Sequence, residues 1–327
     1  MAKTEQNEKR KILQKIAEDF NKKYDKECCR FGADSVERLK TGIYSLDKVT
    51  WGGLAKGRWN MVYGGARVGK TSLCNHIIAN VQKAGGTVVV INSEHSWDPD
   101  YARKFGVVPE EVLVNSPSTL EEGETLVQKC VEYADLIVVD TIVAVAAADE
   151  AEKDMEKNTM GLIPRKLSEF FRKVTPKLGS SKCAVLLVNQ VRMDPSAYIP
   201  VEQFSGGKAL AHNCSLIIHL RRGAKADWPT IKVEGKDEII GFQVVAKVEK
   251  TKVSPTEGQV AFYNLYKTPP VFRPEEEMIN YAILEGVITQ AGASYEYDTI
   301  KGRGRDAFVA ALLENKEVMT KLKNEMK

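Results

Sequence analysis

The sequence predicts an α/β protein: a central, mostly parallel sheet extended by antiparallel strands, with an N-terminal helix in front and a small C-terminal α/β domain behind. Three observations carry this. From residue 59 to residue 189, short apolar runs alternate with helical stretches, the pattern of parallel strands covered on both faces. After that come strand-like runs, Ser215–Leu220, Gly241–Val248 and Val260–Tyr266, with turn residues between them and no helix, which read as antiparallel additions to the sheet. Thr268-Pro269-Pro270 and Arg273-Pro274 then break the pattern. The expected division is residues 1–32, an N-terminal helical segment; 33–268, the core; and 269–327, a small mixed domain.

In chain order, Ile12, Leu13, Ile16, Ala17 and Phe20 fall at helical spacing among Lys and Glu, giving an amphipathic helix with one apolar stripe. The stripe packs either on its own domain or on a neighbouring subunit. Gly52, Gly53 and Gly57 punctuate a turn before strand Trp59–Tyr63. There follow helix Thr71–Lys83, stopped by Gly85-Gly86, strand Thr87–Asn92, helix Leu120–Tyr133, strand Leu136–Asp140, helix Met160–Leu178 and strand Ala184–Asn189. A closing helix spans Ala307–Lys323.

Composition narrows the function. With 47 Lys+Arg against 44 Asp+Glu, the formal charge of +3 does not by itself argue for nucleic acid. No apolar run reaches the ~18–20 residues that span a bilayer; the longest, Leu136–Ala148, is broken by Asp140 and Thr141. The N-terminus is charged throughout, unlike a secretory leader, so an intracellular address is expected. Six cysteines follow neither a paired framework nor a zinc spacing and read as reduced and structural.

The motif that carries chemistry is Gly64-Gly65-Ala66-Arg67-Val68-Gly69-Lys70-Thr71, a GxxxxGK[ST] string between a strand and a helix. Its glycines let the backbone wrap so that N–H groups face phosphate oxygens, and the helix adds its positive end. Lys70 supplies a point charge to the β and γ phosphates, the Thr71 hydroxyl ligates Mg²⁺, and Ser72 extends the set. Asp140, at the carboxyl end of an apolar strand, suits a water-mediated Mg²⁺ contact. Glu94 closes strand Thr87–Asn92; it is either a solvated strand-end residue or the carboxylate that orients the water attacking the γ-phosphate.

Taken together the chain resembles the bacterial RecA recombinase family over nearly its full length. The carrying segments are Thr41-Gly42 to Ser45-Leu46-Asp47, Gly52-Gly53-Leu54, the phosphate loop, Ser93-Glu94-His95, Asp98-Pro99-Asp100-Tyr101-Ala102-Arg103 and Leu136–Asp140. Downstream are Met160-Gly161-Leu162, Asn189-Gln190-Val191-Arg192-Met193, Gly206-Gly207-Lys208-Ala209-Leu210, Lys250-Thr251-Lys252 and Gln290-Ala291-Gly292-Ala293-Ser294-Tyr295. The resemblance implies a RecA-type P-loop ATPase core and an ATP-dependent recombinase. Such a protein polymerises on single-stranded DNA as a homo-oligomeric helical filament, pairs it with homologous double-stranded DNA, and serves recombination and repair of DNA damage.

By resemblance, Lys70 and Thr71 are the phosphate and Mg²⁺ residues, Glu94 the catalytic base and Asp140 the Mg²⁺-water residue. Tyr101 stacks on adenine and Asp98 bonds its amino group. Gln190 senses the γ-phosphate, and Lys250 and Lys252 reach the ATP of the adjacent subunit, making hydrolysis depend on assembly. DNA binding is expected in two loops, from Asp149 to Met160 and from Arg192 to Gly207, with Met160, Gly161, Arg165, Arg192, Met193, Tyr198, Phe204, Gly206 and Gly207 as candidate contacts. Without the resemblance, Tyr198 and Phe204 read as ordinary loop packing. A second DNA surface comprises Arg221, Arg222 and Lys247, and Lys301 with Arg303 gathers duplex or forms a solvated face. Single-strand-binding and loader proteins are expected partners, no membrane is, and the compartment is the bacterial cytoplasm, or a host's for a phage-encoded member.

The departures are Ala66-Arg67-Val68 inside the loop, His212 in place of an aromatic, and an end at Lys321–Lys327 without an acidic tail. Arg67 and the changed interface keep open an ATP-gated filament whose hydrolysis is vestigial; the other alternative is a ring-forming DNA-dependent motor of the same superfamily, against which the N-terminal helix and the two-loop pattern count.

Overall fold

The computed structural model describes the chain apart from residues 1, 25–28, 30, 33–34, 142–161, 194–201, 205–206, 270 and 327. It contains two compact units, Met1–Val36 and Glu37–Lys327. In the first, helix α1 (Ala2–Tyr24) carries Glu5 in its first turn and Lys22 and Lys23 in its last, charges that suit the helix dipole. The Asn21 side chain accepts from Cys29 N (2.8 Å) and donates to Cys29 O (2.7 Å). Within this unit the predicted stripe stays open: Ile12, Ile16 and Phe20 are 60%, 47% and 47% exposed.

In the second unit, β1 (Arg38–Leu39) pairs with β2 (Leu54–Ala55) across α2 (Tyr44–Val49). Then β3 (Arg58–Gly64) leads through the glycine loop into α3 (Lys70–Lys83). Next come β4 (Val88–Asn92), α4 (Pro99–Arg103), β5 (Val112–Asn115), α5 (Leu120–Cys130), β6 (Leu136–Asp140), α6 (Leu162–Gly179) and β7 (Ala184–Met193). β8 (Glu202–Phe204), α7 (Gly207–Asn213) and β9 (Leu216–Arg222) precede a hairpin of β10 (Thr230–Val233) and β11 (Lys236–Ile239). β12 (Gly241–Thr251) and β13 (Val260–Tyr266) complete the main sheet. Its order is β13-β12-β9-β3-β7-β6-β4-β5, with β8 attached to β7.

The sheet corrects one expectation. β9 runs parallel to β3, with Val62 opposite Ile218, so of the three predicted additions only β12 and β13 are antiparallel. The reason is α7, which the sequence pattern did not predict: this short helix returns the chain to the amino edge, from which the next strand runs parallel to β3. The β10–β11 hairpin was also unforeseen; Glu234-Gly235, with φ of 49° and 80°, turns it.

Alternate residues of the parallel strands feed two cores. On one face Leu73, Ile77, Ile78 and Val81 of α3 cover Val62, Val90, Val138 and Leu186. On the other, Phe170, Phe171, Val174 and Leu178 of α6 cover Trp59, Ile137, Val185 and Leu187. Trp59 meets Phe171 edge-on at 4.9 Å between ring centroids, and its Nε1 donates to Thr175 Oγ1 at 2.9 Å, so the one polar atom of the buried indole is satisfied.

The C-terminal residues form α8 (Pro274–Leu284), β14 (Thr289–Ala291), β15 (Ser294–Tyr297), β16 (Ile300–Arg303), α9 (Arg305–Glu314) and α10 (Lys316–Glu325), around a third core containing Ile279, Phe308, Leu312 and Leu322. The expected single closing helix is two, because Asn315 leaves helical geometry (φ −95°, ψ 93°) and its side chain caps α10 through Val318 N at 3.2 Å. From α8, Glu277 accepts from Tyr44 N (2.9 Å) and Ser45 N (2.8 Å), which caps α2 across the chain. Among the described residues no helix is long and apolar enough to cross a membrane.

Candidate active site

β3 delivers the glycine loop at the carboxyl edge of the sheet, where Gly64 lies opposite Gln190 of β7 and Leu220 of β9. The fit is tight: a Cβ on Gly64 would stand 2.3 Å from Leu220 O, and one on Gly69 2.4 Å from Leu265 Cδ1. Arg67 (φ 60°) and Gly69 (φ 96°) both adopt left-handed backbone, so the loop curls before α3 begins. Val68 is buried and anchors the loop, while Ala66 and Arg67 are exposed.

Lys70 Nζ donates to Gly64 O (2.9 Å) and Gly65 O (2.7 Å). Burial lowers its pKa, and Asp140 and Glu94 oppose the shift. Asp140, buried at the end of β6, is pushed up to about 6 by burial, with Glu94 adding to the effect; Lys70 and a hydrogen bond with the Thr71 side chain pull the other way. Lys70, Thr71 and Asp140 therefore form one interacting group.

Neighbouring strands β4, β6, β7 and β3 end together here. That brings Glu94 within reach of two donors: Thr141 Oγ1 lies 3.0 Å from Glu94 Oε1, and Gln190 Nε2 lies 3.1 Å from Oε1 and 3.4 Å from Oε2. Ser93 Oγ donates to Asp140 O (3.0 Å) and Thr141 O (2.7 Å), tying the ends of β4 and β6. The Asp140–Thr141 peptide is cis. Thr141 and Ser93 were missed by sequence reasoning, although both directly adjoin predicted site residues.

Tyr101 OH bonds Ser72 Oγ at 2.8 Å, which carries α4 to the start of α3. Asp98 has a role the sequence did not show: its Oδ1 caps α4 through Asp100 N (2.8 Å) and Tyr101 N (3.3 Å). Lys250 and Lys252 stand apart. Lys250 Nζ donates to Ala211 O and, at 3.2 Å, to Cys214 O, and Lys252 Nζ donates to His212 O, so both satisfy carbonyls at the carboxyl end of α7. The strand register sets Lys250 level with Ile217 and Met61, three residues, or about 10 Å at ~3.3 Å per residue, before Gly64 and two strands away from it, with Lys252 further toward the amino edge.

The family model of the RecA N-terminal domain matches residues 10–269. The chain belongs to the RecA family. It is 34% identical over 323 residues to Protein RecA of Acinetobacter baylyi, covering 96% of this chain and 90% of that protein. With Protein RecA of Allochromatium vinosum the identity is 36% over 286 residues (86% and 80%), and with that of Arthrospira platensis 35% over 326 residues (96% and 86%). As a RecA-family protein it is a nucleotide-binding, DNA-dependent ATPase and an ATP-dependent DNA recombinase of recombination and repair, in a family that binds single-stranded DNA and forms filaments.

The expected DNA residues are more dispersed than the ATPase group. Met160, Gly161, Tyr198 and Gly206 lie outside the described residues. Arg192 and Met193 sit on β7, which runs beyond Asn189 and pairs with β8: Val191 faces Phe204, Arg192 faces Gln203 and Met193 faces Glu202. These positions are thus on the stem of a hairpin, not in open loop, and Gly207 begins α7. Arg165 is exposed on the first turns of α6, and Arg221 is exposed at the end of β9. Lys247 pairs with Glu249 (3.4 Å) and Lys301 with Glu296 (2.6 Å), while Arg303 is exposed. Arg222 is exposed too, but it is engaged: its Nε (3.1 Å) and Nη2 (2.7 Å) donate to Arg67 O of the phosphate loop.

Proposed function

We propose that the carboxyl-edge site binds ATP with Mg²⁺, and that its state governs assembly of the chain on single-stranded DNA, pairing with a homologous duplex and strand exchange. The observation that carries this reading is the gathering of Lys70, Thr71, Asp140, Glu94 and Gln190 at the ends of adjacent strands. The donors fit a hard cation, since a hydroxyl and a carboxylate already interact beside the loop. Thr71 and Asp140 are the residues to hold Mg²⁺, which when bound supplies charge neutralisation to phosphate oxygens.

Lys70 neutralises the phosphates, Tyr101 and Asp98 hold the base, and Glu94 takes the proton of the attacking water. Gln190 bonds the Glu94 carboxylate while its own strand continues into the β7–β8 hairpin. A phosphate oxygen that draws the Gln190 amide away frees Glu94 and shifts the hairpin, linking nucleotide state to DNA contact. Lys250 and Lys252, set back from their own loop, serve the ATP of the next subunit. The open stripe at Ile12, Ile16 and Phe20 docks on that subunit, so residues 1–32 act as a polymerisation segment beside a core at 33–268 and a small domain at 269–327. Single-strand-binding and loader proteins are partners, and the compartment is cytoplasmic.

The test is ATP hydrolysis with and without single-stranded DNA, with electron microscopy of the same mixtures, for the natural chain and Lys70→Ala. Strong stimulation with helical filaments, both lost in Lys70→Ala, is expected. Unstimulated turnover with closed rings would move the chain to the motor branch, and filaments without turnover to vestigial hydrolysis.

A further inference from the structure

Arg222 closes β9, the strand beside β3, so two residues past the Gly64–Leu220 pairing its side chain arrives alongside the phosphate loop. Both Nε and Nη2 converge on a single acceptor, the Arg67 carbonyl. The guanidinium is also held from behind: it stacks on the Phe242 ring at 4.3 Å and lies 5.6 Å from the Trp228 ring. Trp228 is fixed in turn by its Nε1 donating to Gly223 O at 3.1 Å. The acceptor residue is the unusual one. Arg67 has a Cβ and yet adopts φ 60°, a left-handed turn that favours glycine. Its neighbour but one, Gly69, is also left-handed, and such alternation is what makes successive N–H groups converge on an anion.

We infer that Arg222 is a positioning residue of the nucleotide site: it clamps the Arg67 carbonyl, holds the left-handed turn of the phosphate loop, and is not a free cation of a DNA surface. This rests on the reading of the loop as the ATP site. A Lys could not substitute, because the contact uses the two-donor fork and the flat face of the guanidinium. Both residues are exposed, but strand alternation points Arg221 to the opposite side of β9, which makes it the member of the pair left for DNA.

ATP affinity of the full chain, measured by calorimetry without DNA, separates these roles. Natural chain, Arg222→Ala, Arg222→Lys and Arg221→Ala are compared, and thermal melting checks that each is folded. Arg222→Ala is expected to weaken ATP binding about tenfold, the scale of a lost charged hydrogen bond, Arg222→Lys to resemble it, and Arg221→Ala to match the natural chain. The decisive cycle adds Arg67→Gly and Arg67→Ala. Glycine keeps φ near 60° unaided, so the Arg222→Ala loss should shrink to within about twofold in the Arg67→Gly background and persist in the Arg67→Ala background. ATP affinity of Arg222→Ala equal to that of the natural chain, or an equal loss in both backgrounds, overturns the clamp. Absence of ATP binding by the natural chain instead overturns the reading of the site itself.

Discussion

Glu94 has two donors on its carboxylate, and they come from different strands. Thr141 approaches from the end of β6 and Gln190 from β7, both on Oε1, leaving Oε2 as the less occupied oxygen. If Glu94 is the base, the Thr141 hydroxyl sets its direction. Thr141→Val should then lower DNA-stimulated kcat by roughly 3–10-fold, in line with loss of one hydrogen bond of about 1 kcal/mol, with KM for ATP little changed and Thr141→Ser restoring the rate. A change confined to KM would assign Thr141 to nucleotide binding. The same scale explains why Asp140 could be picked from sequence and its chemistry could not. A strand-end Asp is visible in the string Leu136–Asp140, whereas its upward shift follows from burial and from a Glu in the turn just past the end of β4.

At the scale of elements, the packing of α6 on the sheet rests on aromatic rings. Phe171 is 1% exposed and stands edge-on to Trp59. Phe171→Ala should cost about 3–5 kcal/mol in urea unfolding, the usual loss for an emptied aromatic site. The contact between α2 and α8 depends instead on a buried charge. Burial raises the Glu277 carboxyl above its ordinary value, while the Ser45 and Tyr44 donors restrain it. A carboxyl raised by folding contributes its full stability below its unfolded-state value near 4.5 and loses it as the pH rises through the higher folded-state value. The stability of the natural chain relative to Glu277→Gln should therefore decline as the pH rises from about 4.5 toward neutrality, as read by urea unfolding. A constant difference across that range would mean Glu277 is not shifted. In this part periodicity showed only the closing helix at Ala307–Lys323; α2, α8 and β14 to β16 were not read, nor was the break at Asn315, because apolar positions continue at helical spacing through it.

Across the whole molecule, the two ends of the sheet are separated by function. The phosphate loop lies at the carboxyl edge, and Lys250 and Lys252 lie toward the amino edge, bonded to α7 carbonyls. Both are engaged by carbonyls of their own chain away from its loop, which is consistent with the proposal that they act on the ATP of an adjacent subunit. Lys250→Ala with Lys252→Ala should leave ATP affinity of the DNA-free chain unchanged while abolishing DNA-stimulated hydrolysis. Normal stimulated rates would confine the two lysines to capping α7.

What the amino-acid sequence determined alone is the local chemistry: a glycine loop set between an apolar strand and a helix, carboxylates closing two further strands, and an order of segments specific to one family. These are legible because each depends on residues a few positions apart. The tertiary structure decided the rest. The direction of β9 came from a seven-residue helix too short to announce itself by periodicity. Arg221 and Arg222 read as one basic pair, yet strand alternation sends their side chains to opposite faces, and only one of those faces holds the phosphate loop. Thr141 meets Glu94, and Lys250 meets α7, only because strand pairing brings together residues 47 and 39 positions apart. Such contacts are fixed by register and packing, and those become defined only when the sheet closes.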